Sequence, residues 1–118
     1  MATINVPAIT LGIGARNDDV FRNFRTAMVP PAAEAPRGAA VRILATGGGT
    51  GVLADAFVGT RPVLERSELS QQTRSPVEPE DVLVDGEPGR PLERISMSLD
   101  NQSGAARTVL IRLIIKEL

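Results

Sequence analysis

The residues best suited to do chemistry are the glycines of TGGGTG, Thr46 to Gly51, set between the apolar runs AVRILA and VLADAFV. A glycine-rich turn after a strand can aim consecutive backbone N–H groups at a phosphate. A phosphate loop of the G-x-x-x-x-G-K-[ST] kind also needs a lysine to reach the anion. Here Val52 and Leu53 follow Gly51, and the chain's only lysine is Lys116. Gly49 to Ala54 does match the dinucleotide pattern G-x-G-x-x-[GA], with Glu68 about 20 residues on, where a ribose-binding acid would stand. The next segment would then have to be a crossover helix. Gly59 and Pro62 interrupt it, and 118 residues cannot supply the rest of a doubly wound sheet. The glycines therefore read as the tip of a hairpin.

Other reactive combinations are sparse. The chain has no histidine, cysteine, tryptophan or tyrosine, which removes the usual general base, thiolate chemistry, disulfides and the best stacking platforms. A Ser–Lys pair would depend on Lys116, far down the last strand-like run. Glu78, Glu80, Asp81, Asp85 and Glu87 form an acidic run, but its spacing is no calcium loop and its prolines stretch it out. Asp18 with Asp19, or Glu65 with Glu68, would need a sugar-lined cleft to act as a glycosidase pair. RNFR, Arg22 to Arg25, mixes basic and aromatic residues, yet the three phenylalanines make a thin platform for RNA. No catalytic residue, cofactor or metal is expected.

Composition points the same way. With 13 basic against 14 acidic residues there is no electrostatic footprint for nucleic acid or an anionic membrane. All basic residues except Lys116 are arginine. Arginine suits planar, hydrogen-bonded interfacial contacts, and a GC-rich genome would give the same bias. The N-terminal MATINVPAITLGIG lacks a basic n-region and no apolar run reaches membrane length, so a soluble protein without a classical signal is expected.

The elements that must position these residues are strands. Ile95, Met97 and Leu99 alternate with Ser96, Ser98 and Asp100. In RTVLIRLIIKEL, Val109, Ile111, Leu113 and Ile115 share one face, with Leu110, Arg112, Ile114 and Lys116 on the other. With NQSGA as a turn, residues 94–117 read as an antiparallel hairpin. The second face of the last strand is too apolar for open solvent and predicts a covering sheet, subunit or partner. Ala40 to Thr46, Val52 to Val58 and Pro62 to Arg66 read as a meander, and Asp81 to Asp85 as a strand ended by the turn GEPG.

Residues 1–18 form either an N-terminal arm or an edge strand. Asp19 to Val29 reads as helix or strand, since Val20, Phe21, Phe24 and Met28 share a helical face. Pro30 to Gly38 should be extended, and residues 67–80 form a long loop. Short strands with turn signals every 8–12 residues or so predict an all-β fold, one antiparallel β-sandwich or jelly-roll domain over residues 1–118 with extended loops or arms.

The passage EDVLVDGEPGRPLERISMSLDNQSGAARTVLIRLIIKEL resembles the C-terminal half of the small jelly-roll decoration, or cement, proteins of tailed-phage capsids. The resemblance covers residues 80–118 and carries no fixed motif. It implies a virion protein on the capsid surface, bound to the major capsid protein and to itself as a homodimer or homotrimer. The contacts expected on that basis are Arg22, Arg25, Arg37, Arg74 and Pro79 in the arms, and Leu110, Arg112 and Ile114 on the last strand. The rival expectation is a receptor- or carbohydrate-binding module of a tail or fibre.

Overall fold

A computed structural model describes residues 2–118. Eight strands make up the regular structure: β1 (Ala2–Leu11), β2 (Arg16–Asn17), β3 (Ala39–Thr46), β4 (Val52–Val58), β5 (Arg61–Glu68), β6 (Val82–Gly89), β7 (Ile95–Asn101) and β8 (Arg107–Glu117). They form two four-stranded sheets, ordered β1-β8-β3-β6 and β2-β7-β4-β5. Every strand pairs antiparallel with the one equally far from the other end of the fold: β1 with β8, β2 with β7, β3 with β6, β4 with β5. The chain is thus one long hairpin, with its tip at Gly59–Thr60, rolled until β3 also meets β8 and β4 meets β7. That is the strand order of a jelly roll.

Alternation decides which side chains fill the space between the sheets. Val109, Ile111, Leu113 and Ile115 of β8 all point inward, as their spacing predicts, and join Val41, Ile43 and Ala45 of β3. The other sheet contributes Val52, Ala54, Ala56 and Val58 with Ile95, Met97 and Leu99. The small alanines of β4 leave room for the branched side chains opposite, as a close-packed interior requires.

Several sequence expectations need correction. Residues 94–117 are not a hairpin: β7 and β8 lie in different sheets, and so do β3 and β4 on either side of TGGGTG. A period of two identifies a strand's faces but not its neighbour. GEPG does not end β6; it continues the strand, with Val41 opposite Glu87 and Ala40 opposite Pro88. Gly86, at φ +70°, takes up the bulge between the Val41 and Ile43 pairs, and Pro88 is tolerated because β6 is an edge strand. Residues 1–18 supply edge strands, with Pro7 in the bulge of β1 between Val6 and Ile9.

Asp19 to Val29 is neither helix nor strand. The Asp19 Oδ1 accepts from the Phe21 N–H, and separate i→i+3 turns follow at Arg22, Phe24 and Ala27. Fully buried Phe21 plugs this end of the sandwich. Pro30 to Gly38 is also turned, not extended: the Glu34 and Ala35 N–H groups donate to the Pro31 carbonyl, and Gly38 to Ala35.

Candidate functional site

One end of the sandwich carries the loops 12–15, 47–51, 69–81 and 102–106; the other carries 18–38, 59–60 and 90–94. The glycine loop lies at the first of these, and three of its N–H donors bond within the chain. The Gly47 N–H donates to the Ser70 carbonyl (2.7 Å), Gly48 to Gln72 (3.0 Å) and Gly51 to the Glu68 carboxylate (3.0 Å). A carboxylate thus occupies a place that a phosphate cradle would leave for the ligand. The glycines serve close approach: a Cβ on Gly48 would lie 2.5 Å from the Thr108 carbonyl oxygen, and one on Gly51 2.8 Å from the Ser103 Cβ. The loop neighbours that leave no room for side chains belong to the same chain.

Residues 69–81 form a strap across this end. Thr46 pairs in parallel with Ser70, and its hydroxyl donates to the Arg74 carbonyl (2.8 Å). Thr46 and Leu44 are fully buried although they alternate with core-facing Ile43 and Ala45. The strap is pinned by Asp81, whose carboxylate receives the Arg74 guanidinium and the Val77 N–H (2.9 Å). Burial opposes ionisation of Asp81, yet the Val77 N–H and the Arg74 guanidinium, both on Oδ2, hold its carboxyl below the usual aspartate value, while the buried Oδ1 has no hydrogen-bond partner among the described residues. The acidic run is dispersed among such pairs: Arg42 binds Glu78 (2.8 Å) and Asp85 (2.7 Å), and Arg61 faces Glu87 (3.6 Å). Among the described residues no group of three or more acidic, histidine or cysteine side chains gathers to hold a metal.

The outer face of β8 is the first exposed candidate surface. Leu110, Arg112 and Ile114 are half-buried there, and Arg112 donates to the Asn5 side-chain oxygen (3.0 Å) across β1. A shallow depression of about 340 Å³ is lined by Ala40, Arg42, Glu78, Gly86, Ile114 and Lys116. Among the described residues no second sheet lies over it.

At the far end, Arg94 donates through its guanidinium to the carbonyls of Phe21, Phe24 and Arg22, clamping the 18–38 loop. Beside it opens a groove of about 640 Å³, whose lining includes Pro36, Arg37, Arg61, Pro88, Arg90 and Pro91. A smaller hollow of about 310 Å³ holds Arg25, Met28, Pro30 and Pro31 with Ile115.

The contact residues expected from sequence therefore fall in three places. Arg22, Arg25 and Arg37 lie at the far end; Arg74 and Pro79 lie in the strap; Leu110, Arg112 and Ile114 lie on the β8 face. The structure does not bring them into one site. Sequence reasoning passed over Arg61 and Arg90, although a signal existed: Pro36-Arg37, Arg61-Pro62 and Arg90-Pro91 each set an arginine beside a proline. Compared with protein-family models, curated proteins and solved structures, the chain matches none.

Proposed function

We propose that the protein is a structural, non-enzymatic component of a virus particle that binds the outer surface of a capsid and stabilises it. The observation that carries this reading is the jelly-roll strand order, β1-β8-β3-β6 over β2-β7-β4-β5, an architecture used in viral capsid and lectin domains. The surface offers shallow depressions lined by arginine, proline and aliphatic side chains, which suit extended protein contact. Several copies joined as a dimer or trimer would bind a repeated lattice of the major capsid protein tightly through individually weak contacts. Residence on the capsid surface belongs to the same proposal.

The lectin use of this architecture gives the rival reading, a carbohydrate- or receptor-binding tip. It lacks a stacking platform: Phe57 is the one large aromatic side chain exposed among the described residues. The deciding experiment mixes purified protein with capsids lacking it. Co-sedimentation and raised resistance to heat or low osmolarity are expected. Failure of both, or a strong glycan-array signal, overturns the proposal.

A further inference from the structure

Nearly every arginine has a partner inside the chain. Arg16 and Arg66 face Asp100, Arg42 faces Glu78 and Asp85, Arg61 faces Glu87, and Arg74 faces Asp81. Arg94, Arg107 and Arg112 donate to carbonyl, hydroxyl or amide oxygens. The exceptions are Arg22, Arg25, Arg37 and Arg90, all exposed, whose guanidinium groups have no hydrogen-bond or ion-pair partner among the described residues. All of them lie on the 18–38 and 90–94 loops, at one end of the sandwich. Arg37 and Arg90 line the same groove, where their unpaired guanidinium groups are open to an external anion.

Arg37 and Arg90 are also held in place. A Cβ on Gly38 would lie 2.0 Å from the Gly89 carbonyl oxygen, so Arg37-Gly38 and Gly89-Arg90 run backbone against backbone. The two side chains thus start from neighbouring, closely packed backbone and both line the 640 Å³ groove, with Pro36, Pro88 and Pro91 in its walls. A preformed site loses little entropy on binding.

We propose that this groove docks an acidic peptide segment of a partner protein, with carboxylates against Arg37 and Arg90 and the backbone across Pro88 and Pro91. Discrete carboxylates fit better than a nucleic-acid backbone, because the overall charge is −1 and the groove, with Glu93 among its lining, offers a few separate guanidinium groups and no continuous basic track. The chemistry stands on the groove itself; that the segment belongs to a capsid subunit rests on the function proposed above.

The test is fluorescence polarisation with a labelled short peptide of alternating glutamate and glycine, its glutamine counterpart, and a labelled oligothymidylate. The glutamate peptide should bind, and more weakly as salt rises. The double variant Arg37→Gln/Arg90→Gln should lose about tenfold in affinity or more, as expected for close charge pairs. Its thermal midpoint should not move, and Arg107→Gln, at the opposite end, should bind normally. Equal binding of the glutamine peptide, tighter binding of the oligothymidylate, no binding of the glutamate peptide or an unaffected double variant overturns the proposal. Peptide binding without capsid co-sedimentation would sink only the capsid reading; co-sedimentation without peptide binding would sink only the groove.

Discussion

The two ends of the sandwich are built from similar material and finished differently. At the strap end, the Gly47, Gly48 and Gly51 N–H groups, the Thr46 hydroxyl, Arg74 and Asp81 all bond within the chain. At the far end the backbone is also fixed, by the Arg94 clamp and by Leu92 N–H to Val29 carbonyl (3.0 Å), but the guanidinium groups of Arg22, Arg25, Arg37 and Arg90 have no partner among the described residues. Rigidity is common to both ends; internal pairing of the arginines is not. That contrast separates a face that closes the fold from one that is left for something else.

The comparison can be pressed by substitution. Gly38→Ala at the arginine end should have the largest effect, at least about 3 kcal/mol lost, because a Cβ would collide with the Gly89 carbonyl at positive φ. A urea midpoint unchanged from the parent would mean that this end is looser than described. Asp81→Ala should cost about 1 kcal/mol, since it removes the anchor shared by the Arg74 guanidinium and the Val77 N–H. Faster hydrogen exchange confined to residues 69–81 would place that loss in the strap.

Acid should act through the same carboxylate. Asp81 ionises more readily folded than unfolded, so its stabilisation is complete above the ordinary value of 3.8 and is lost as the pH falls through the lower folded value. Unfolding measured against pH should therefore be flatter in Asp81→Asn than in the parent across the acid range. Smallest of all, changing Arg22, Arg25, Arg37 or Arg90 singly to glutamine should move stability by no more than about 0.5 kcal/mol. A larger shift in the thermal midpoint would show that these side chains have an internal role and would erase the contrast.

Much of the fold was legible in the sequence, because strand faces follow directly from alternation. The inward set of β8 and the runs of β3, β4 and β7 were all readable in this way. What the pattern does not encode is which strand lies alongside. NQSGA and TGGGTG have turn chemistry, yet both carry the chain from one sheet to the other. Asn101 shows why the first is no simple turn: its amide donates to the Leu11, Gly12 and Ala105 carbonyls, tying the β7–β8 loop to the β1–β2 loop. Phe21 and Phe24 share a helical face, but Asx chemistry at Asp19 and Pro30 downstream favour separate turns. Of the candidate surfaces, Arg22, Arg25 and Arg37 could be picked out as loop arginines. The groove needed Gly38 against Gly89, a contact between distant segments that no local pattern reveals.

The place of β8 has a consequence for how the protein is made. It pairs with β1 on one side and β3 on the other, so the sheet that holds the earliest strand is completed by the latest. A nascent chain can close the β4–β5 hairpin early, but β1 and β3 have no bridge between them until residues 107–117 have left the ribosome. Their apolar faces must wait, since long-range strand pairing is slow and leaves such faces exposed until it is complete.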